Sequence, residues 1–102
     1  LNEENIKEIA VRMLDGLKKR LQSLDISISF TDQAITEIAK QGFDPVYGAR
    51  PLRRAIQSKI EDKLSEEMLE GKITTKIPVT CDFENGDFVF HSAGVEKTQN
   101  EE

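Results

Sequence analysis

The pair Asn85-Gly86 stands between two runs in which apolar residues recur at every second position, and it constrains the fold more than any other stretch. Asn-Gly is the pair best suited to a two-residue hairpin turn, because both turn positions need positive φ. Ile77, Val79, Cys81 and Phe83 lead into the turn, and residues 88–91 can run back from it. Such a turn pairs Phe83 with Phe88, Cys81 with Phe90 and Thr80 with His91, which gathers the large apolar groups on one face. Glu84 opposite Asp87 is the one unfavourable pair. A lone hairpin is marginal in water, so a further strand is expected to join it. Ile26, Ile28 and Phe30 alternate with Asp25, Ser27 and Ser29 and supply the candidate.

Elsewhere the apolar period changes from two to between three and four. Ile6, Ile9, Ala10, Met13, Leu14, Leu17, Leu21 and Leu24 put one stripe along a helix from about residue 3 to 24. Asn2 suits its N-cap, and Leu1 and Ile6 stand at the two positions of a hydrophobic staple. Thr31 caps a short second helix whose Ile35, Ile38 and Ala39 face inward, with Phe30 and Ile35 repeating the staple. Gly42 offers a left-handed stop, with Phe43 folding back on Ile38. Asp44-Pro45 excludes helix at Asp44, so residues 43–49 form an ordered loop. Pro51 then opens an uninterrupted third helix, with Leu52, Ala55, Ile56, Ile60, Leu64 and Met68 as its stripe and Gly71 as its end.

The order of these elements gives an α+β domain, about three helices packed on a small three-stranded sheet that includes the C-terminal β-hairpin. A chain of 102 residues holds one modest core and no separate catalytic domain. It opens Leu1-Asn2-Glu3 with no charged-then-apolar leader, and reads as a piece of a longer, cytoplasmic polypeptide with no membrane span. The domain is placed at residues 1–91, and the polar residues 92–102 are expected to be a disordered tail. A formal net charge of -5 argues against broad nucleic-acid or anionic-membrane binding, so any anion site must be local.

Self-contained catalysis is not expected. The sequence carries no G-x-x-x-x-G-K-[ST] phosphate loop, no H-E-x-x-H, no G-x-S-x-G and no Cys/His pair with metal spacing. His91 is read as a solvated histidine on the outer face of the hairpin and Cys81 as a small core residue beside Phe90. One cluster is locally odd. Arg50, Arg53 and Arg54 crowd the start of the third helix, where the helix dipole disfavours each cation by ~0.3–1 kcal/mol. A phosphate would turn that cost into attraction; pairing with carboxylates such as Asp32 or Asp44 would relieve it without any ligand.

The run Gly42-Phe43-Asp44-Pro45-Val46-Tyr47-Gly48-Ala49-Arg50-Pro51-Leu52-Arg53-Arg54 resembles the sensor-2 segment of Clp-family AAA+ unfoldases, and the similarity extends over roughly residues 1–91. It looks most like the small subdomain that closes the second ATPase module in the ClpC, ClpB and ClpE group, with the ClpC type preferred. The resemblance implies that Arg50 reaches the γ-phosphate of ATP held by a large domain, that Gly48 and Ala49 shape the approach, and that Mg is bound by that large domain. Tyr47 and Phe43 are read as core anchors of the loop, and Arg53 and Arg54 as subunit-interface or surface groups. The partners implied are the protein's own large AAA+ domain, the neighbouring subunit of a homohexamer, protein substrates, and a Clp peptidase in protease-coupled members. The isolated chain is expected to be a monomer that hydrolyses no ATP and binds it weakly or not at all. Two readings compete: a free-standing phosphate or nucleic-acid module built on Arg50, Arg53 and Arg54, and an adaptor-binding module using Glu66, Glu67 and Glu70.

Overall fold

The computed structural model describes residues 3–92, with side chains from residue 4 onward. The expected cap at Asn2, the Leu1–Ile6 staple and residues 93–102 of the expected tail lie outside the described residues. The elements run α1 (Glu3–Gln22), β1 (Ile28–Phe30), α2 (Asp32–Gln41), α3 (Pro51–Ile56), a π turn (Gln57–Glu61), α4 (Asp62–Leu69), β2 (Val79–Glu84) and β3 (Asp87–Ser92). The fold is α+β, with one three-stranded sheet in the order β1-β2-β3.

The hairpin has the register set by its turn. Phe83 faces Phe88, Cys81 faces Phe90, Thr80 faces His91, and Glu84 faces Asp87. Asn85 and Gly86 both take positive φ, 54° and 81°, as a two-residue turn of this hand requires. The like charges of Glu84 and Asp87 are each relieved elsewhere, Glu84 by His91 at 3.1 Å and Asp87 by Lys63 at 3.8 Å. β1 adds to the other edge of β2 in parallel, with Ile28 opposite Val79 and Phe30 opposite Cys81. The sheet is extended at that edge by the Thr31 N–H, which donates to the Cys81 carbonyl at 3.0 Å.

The helices cover one face of this sheet. Ile6, Ala10, Leu14, Leu17 and Leu21 of α1, Ala34 and Ile38 of α2, and Leu52, Ile56, Ile60 and Leu64 of the third helical rod meet Val79, Cys81 and Phe88 in a single core. Each fully buried Leu or Ile in such a core contributes about 1.5–3 kcal/mol of transfer free energy. The stripe of α1 stops at Leu21. Leu24, expected to continue it, is 59% exposed. Beyond Gln22 the chain reverses, with Asp25 at φ 66° and the Ile26 N–H returning to the Leu21 carbonyl at 2.9 Å. Ile26 therefore takes the buried position that the periodicity assigns to Leu24. Among the described residues no helix is long and apolar enough to cross a membrane.

The third rod is interrupted, against expectation. Asp62 N–H bonds back five residues to the Gln57 carbonyl, which is a π turn. Ile56, Ile60, Leu64 and Met68 recur every four residues, and in a 3.6-residue helix each such step drifts by about 40°. The extra residue in the turn acts against that drift, and Ile56, Ile60 and Leu64 are all buried.

Candidate functional site

The site lies where α2 hands over to α3. Thr31 caps α2 as expected, its hydroxyl accepting from the Ala34 N–H at 3.1 Å. At the other end Gly42 does not take the left-handed conformation, having φ -93° and ψ 6°. Glycine is required there for space: a Cβ would lie 2.5 Å from Leu52 Cδ1 and 2.6 Å from Leu52 Cα. Leu52, fully buried at the start of α3, thus locks the two helix ends together.

Between them the loop holds itself. Asp44 and Gly48 exchange backbone hydrogen bonds, 2.9 Å from Asp44 N–H and 2.7 Å from Gly48 N–H. The Asp44 Oδ1 accepts from the Val46 N–H at 2.7 Å and the Tyr47 N–H at 2.9 Å. This is the hydrogen bonding by which an aspartate before proline builds a turn, and Gly48 closes it at φ 65°, a conformation that favours glycine. Phe43 and Tyr47 are not core anchors. Phe43 is 40% exposed, Tyr47 61% and Val46 80%, because Asp44 fixes the loop by backbone hydrogen bonds and leaves its apolar side chains outside. Sequence reasoning missed Asp44 as the organiser, although Asp-Pro was the available signal.

The loop delivers Arg50 to the N-terminus of α3. Arg50 is exposed, in helical conformation, with its N–H on the Tyr47 carbonyl at 3.2 Å and with neither a side-chain cap nor an acidic residue in the first turn. Pro51 occupies the first helical position, and Ala49 packs against the core. The carboxylates that would neutralise the cluster are engaged elsewhere: Asp32 pairs with Lys7 at 2.6 Å, and Asp44 is held by its loop amides. Among the described residues Arg50, Arg53 and Arg54 make no ion pair. Arg50 therefore stands exposed and unneutralised at the start of a helix, where its guanidinium is suited to an oxyanion of a ligand, while the exposed Arg53 lines a groove against α1.

The other candidates fall outside this site. Cys81 is fully buried, and burial pushes its thiol up to about 12, so it is a core residue. His91 is half-buried and bonded to Glu84. Asp82, Glu84 and His91 bring one ligand atom each within 4.8 Å of one another. Asp82 is already committed, its Oδ1 accepting from the Thr31 hydroxyl at 2.6 Å and the Phe83 N–H at 2.8 Å. Those two bonds, the hydroxyl first, hold its carboxyl below the usual carboxylate range. The group reads as a network fastening the hairpin to the β1–α2 junction.

Comparison with known proteins decides the family. Residues 1–81 match the model described as the C-terminal, D2-small domain, of ClpB protein. The chain belongs to the ClpB D2-small family. The chaperone protein ClpB of Oceanobacillus iheyensis is 50% identical over 90 residues, covering 87% of this chain and 11% of that protein. The negative regulator of genetic competence ClpC/MecB of Bacillus subtilis is 48% identical over 89 residues, again 87% and 11%. The ATP-dependent Clp protease ATP-binding subunit ClpC of Staphylococcus aureus is 45% identical over 93 residues, 91% and 11%. The chain thus spans about 11% of the length of these curated relatives and corresponds to the D2-small domain of a Clp protein.

Proposed function

We propose that this D2-small domain is the nucleotide-sensing part of an ATP-driven Clp unfoldase, with Arg50 as the sensor-2 arginine. The observation that carries the reading is that Arg50 is rigidly presented and unneutralised. The Asp44–Gly48 loop and the Gly42–Leu52 contact fix its backbone, and no described carboxylate pairs with its guanidinium. ATP, held with Mg by a large domain, supplies a terminal phosphate whose charge a guanidinium fork can bind. Gly48 and Ala49 keep the approach to Arg50 free of bulk. An arginine that binds a phosphate present in one nucleotide state and absent in the next makes the angle between two domains depend on that state. Passed between neighbouring subunits of a hexameric ring, such motion would drive the unfolding of protein substrates. The exposed Phe43, Val46 and Tyr47 beside Arg50 fit this reading as the apolar surface that meets the large domain.

The domain supplies no hydrolytic machinery of its own in this scheme, and its contribution is electrostatic and mechanical. The reading is tested by fluorescence energy transfer between dyes on the large domain and on exposed Ser65 in a full-length Clp protein carrying this domain. A change in transfer between ATP and ADP states is expected in the wild type and is expected to vanish in Arg50→Ala. An unchanged nucleotide response in Arg50→Ala would reject the assignment.

A further inference from the structure

Away from the Arg50 loop, α1 and the start of the third rod leave between them a groove of about 290 Å³. Met13, Gly16 and Ile56 give it an apolar lining, and the exposed Arg12, Arg20 and Arg53 stand around it. Glu61, placed by the π turn, lies 3.5 Å from Arg20 and offsets one of the three cations. Arg12 and Arg53 have no ion pair among the described residues. In a chain of formal net charge -5 this is a local positive field, set over an apolar surface.

Gly16 is an independent observation at the same place. Glycine weakens the interior of a helix, yet this one sits inside the 20-residue α1, and a Cβ added there would meet nothing within 4 Å. It is not among the residues with positive φ. Neither backbone conformation nor close packing within the domain accounts for glycine here, and its effect is to leave the groove open.

We propose that this groove docks a short protein segment that carries carboxylates on either side of an apolar side chain. The guanidinium forks of Arg12 and Arg53 match carboxylates in geometry, and the lining of Met13, Gly16 and Ile56 takes the apolar group between them. This surface is separate from the phosphate role of Arg50 and stands or falls independently of it.

The probe is a fluorescein-labelled Asp-Leu-Glu-Leu-Asp peptide, titrated with the chain at low salt and read by anisotropy. Saturable binding is expected, weakened about tenfold when Arg12→Gln and Arg53→Gln are combined. Gly16→Leu, which fills the groove and keeps every charge, is expected to weaken it comparably, while Arg54→Gln leaves it unchanged. Circular dichroism confirms that each variant is folded. Equal binding by the folded variants, equal binding of the Asn/Gln form of the peptide, or no saturation below about 1 mM would overturn the proposal. Inorganic phosphate that displaces the peptide at lower concentration than free peptide does would also overturn it, in favour of a phosphate site.

Discussion

A methyl group added at Gly42 would lie 2.6 Å from the Leu52 Cα, whereas one added at Gly16 would meet nothing within 4 Å. The two glycines therefore respond oppositely to the same substitution. Gly16→Ala is expected to stabilise the domain by about 0.5–1 kcal/mol, the gain of alanine over glycine in a helix interior. Gly42→Ala forces helix ends apart and is expected to cost about 1–3 kcal/mol, as overpacking does. Urea unfolding of both variants checks the pair. Sequence alone placed Gly42 at the end of α2 and gave the wrong reason, since Leu52, the atom group it must avoid, is brought there only by the tertiary fold. Asp82 gives a prediction in pH. Its folded pKa is depressed, so its contribution to stability is complete above the unfolded value of about 3.9 and is lost as pH falls through the folded value. The difference in urea midpoint between wild type and Asp82→Asn is expected to be constant above pH about 5 and to close below the ordinary carboxylate range. A difference that persists unchanged in strong acid would show that the Thr31–Asp82 bond does not depend on the charge.

Among the elements, the hairpin was the most legible because two signals agree there. A period of two and an Asn-Gly turn leave one register that buries Cys81 and Phe88, and that register is the one observed. The end of α1 was less legible, because the 3.6-residue period continues through Leu24 while Asp25 at φ 66° turns the chain and buries Ile26 instead. The π turn was not legible: Ile56, Ile60 and Leu64 would span only about 80° on an ideal helix, as the equally buried Ile6, Ala10 and Leu14 do in the regular α1, so their spacing demands no extra residue. A π turn is an α-helical turn with one residue added, so removing one should restore the simpler helix and keep Asp62–Leu69 in phase. Deletion of the exposed Ser58 is accordingly expected to leave a single cooperative unfolding transition. Deletion of Lys18 in α1, which has no such turn to absorb it, is expected to abolish that transition, because the buried Leu21 would rotate by about 100° away from the core. Thermal denaturation followed by circular dichroism distinguishes the two.

At the scale of the whole molecule, the exposed Phe43, Val46 and Tyr47 were the clearest failure of sequence reading. Apolar residues in a rigid loop are ordinarily assigned to the core, and here the loop is made rigid by Asp44 while its apolar side chains remain outside. The choice of Arg50 as candidate rests on the resemblance carried by residues 42–54, and the structure adds that the Asp44 loop leaves Arg50 exposed at the start of α3. Because Arg50 is exposed and has no described ion pair, Arg50→Ala is expected to change the stability of the isolated domain by no more than about 0.5 kcal/mol. That expectation separates a role in folding from a role toward a ligand. The direct measurement is then ATP turnover by the full-length Clp protein with Arg50→Ala, with nucleotide binding and ring assembly checked in the same preparation. Turnover is predicted to fall about 10²-fold while binding and the ring persist; near-normal turnover in an intact ring would contradict the assignment of Arg50 as the nucleotide sensor.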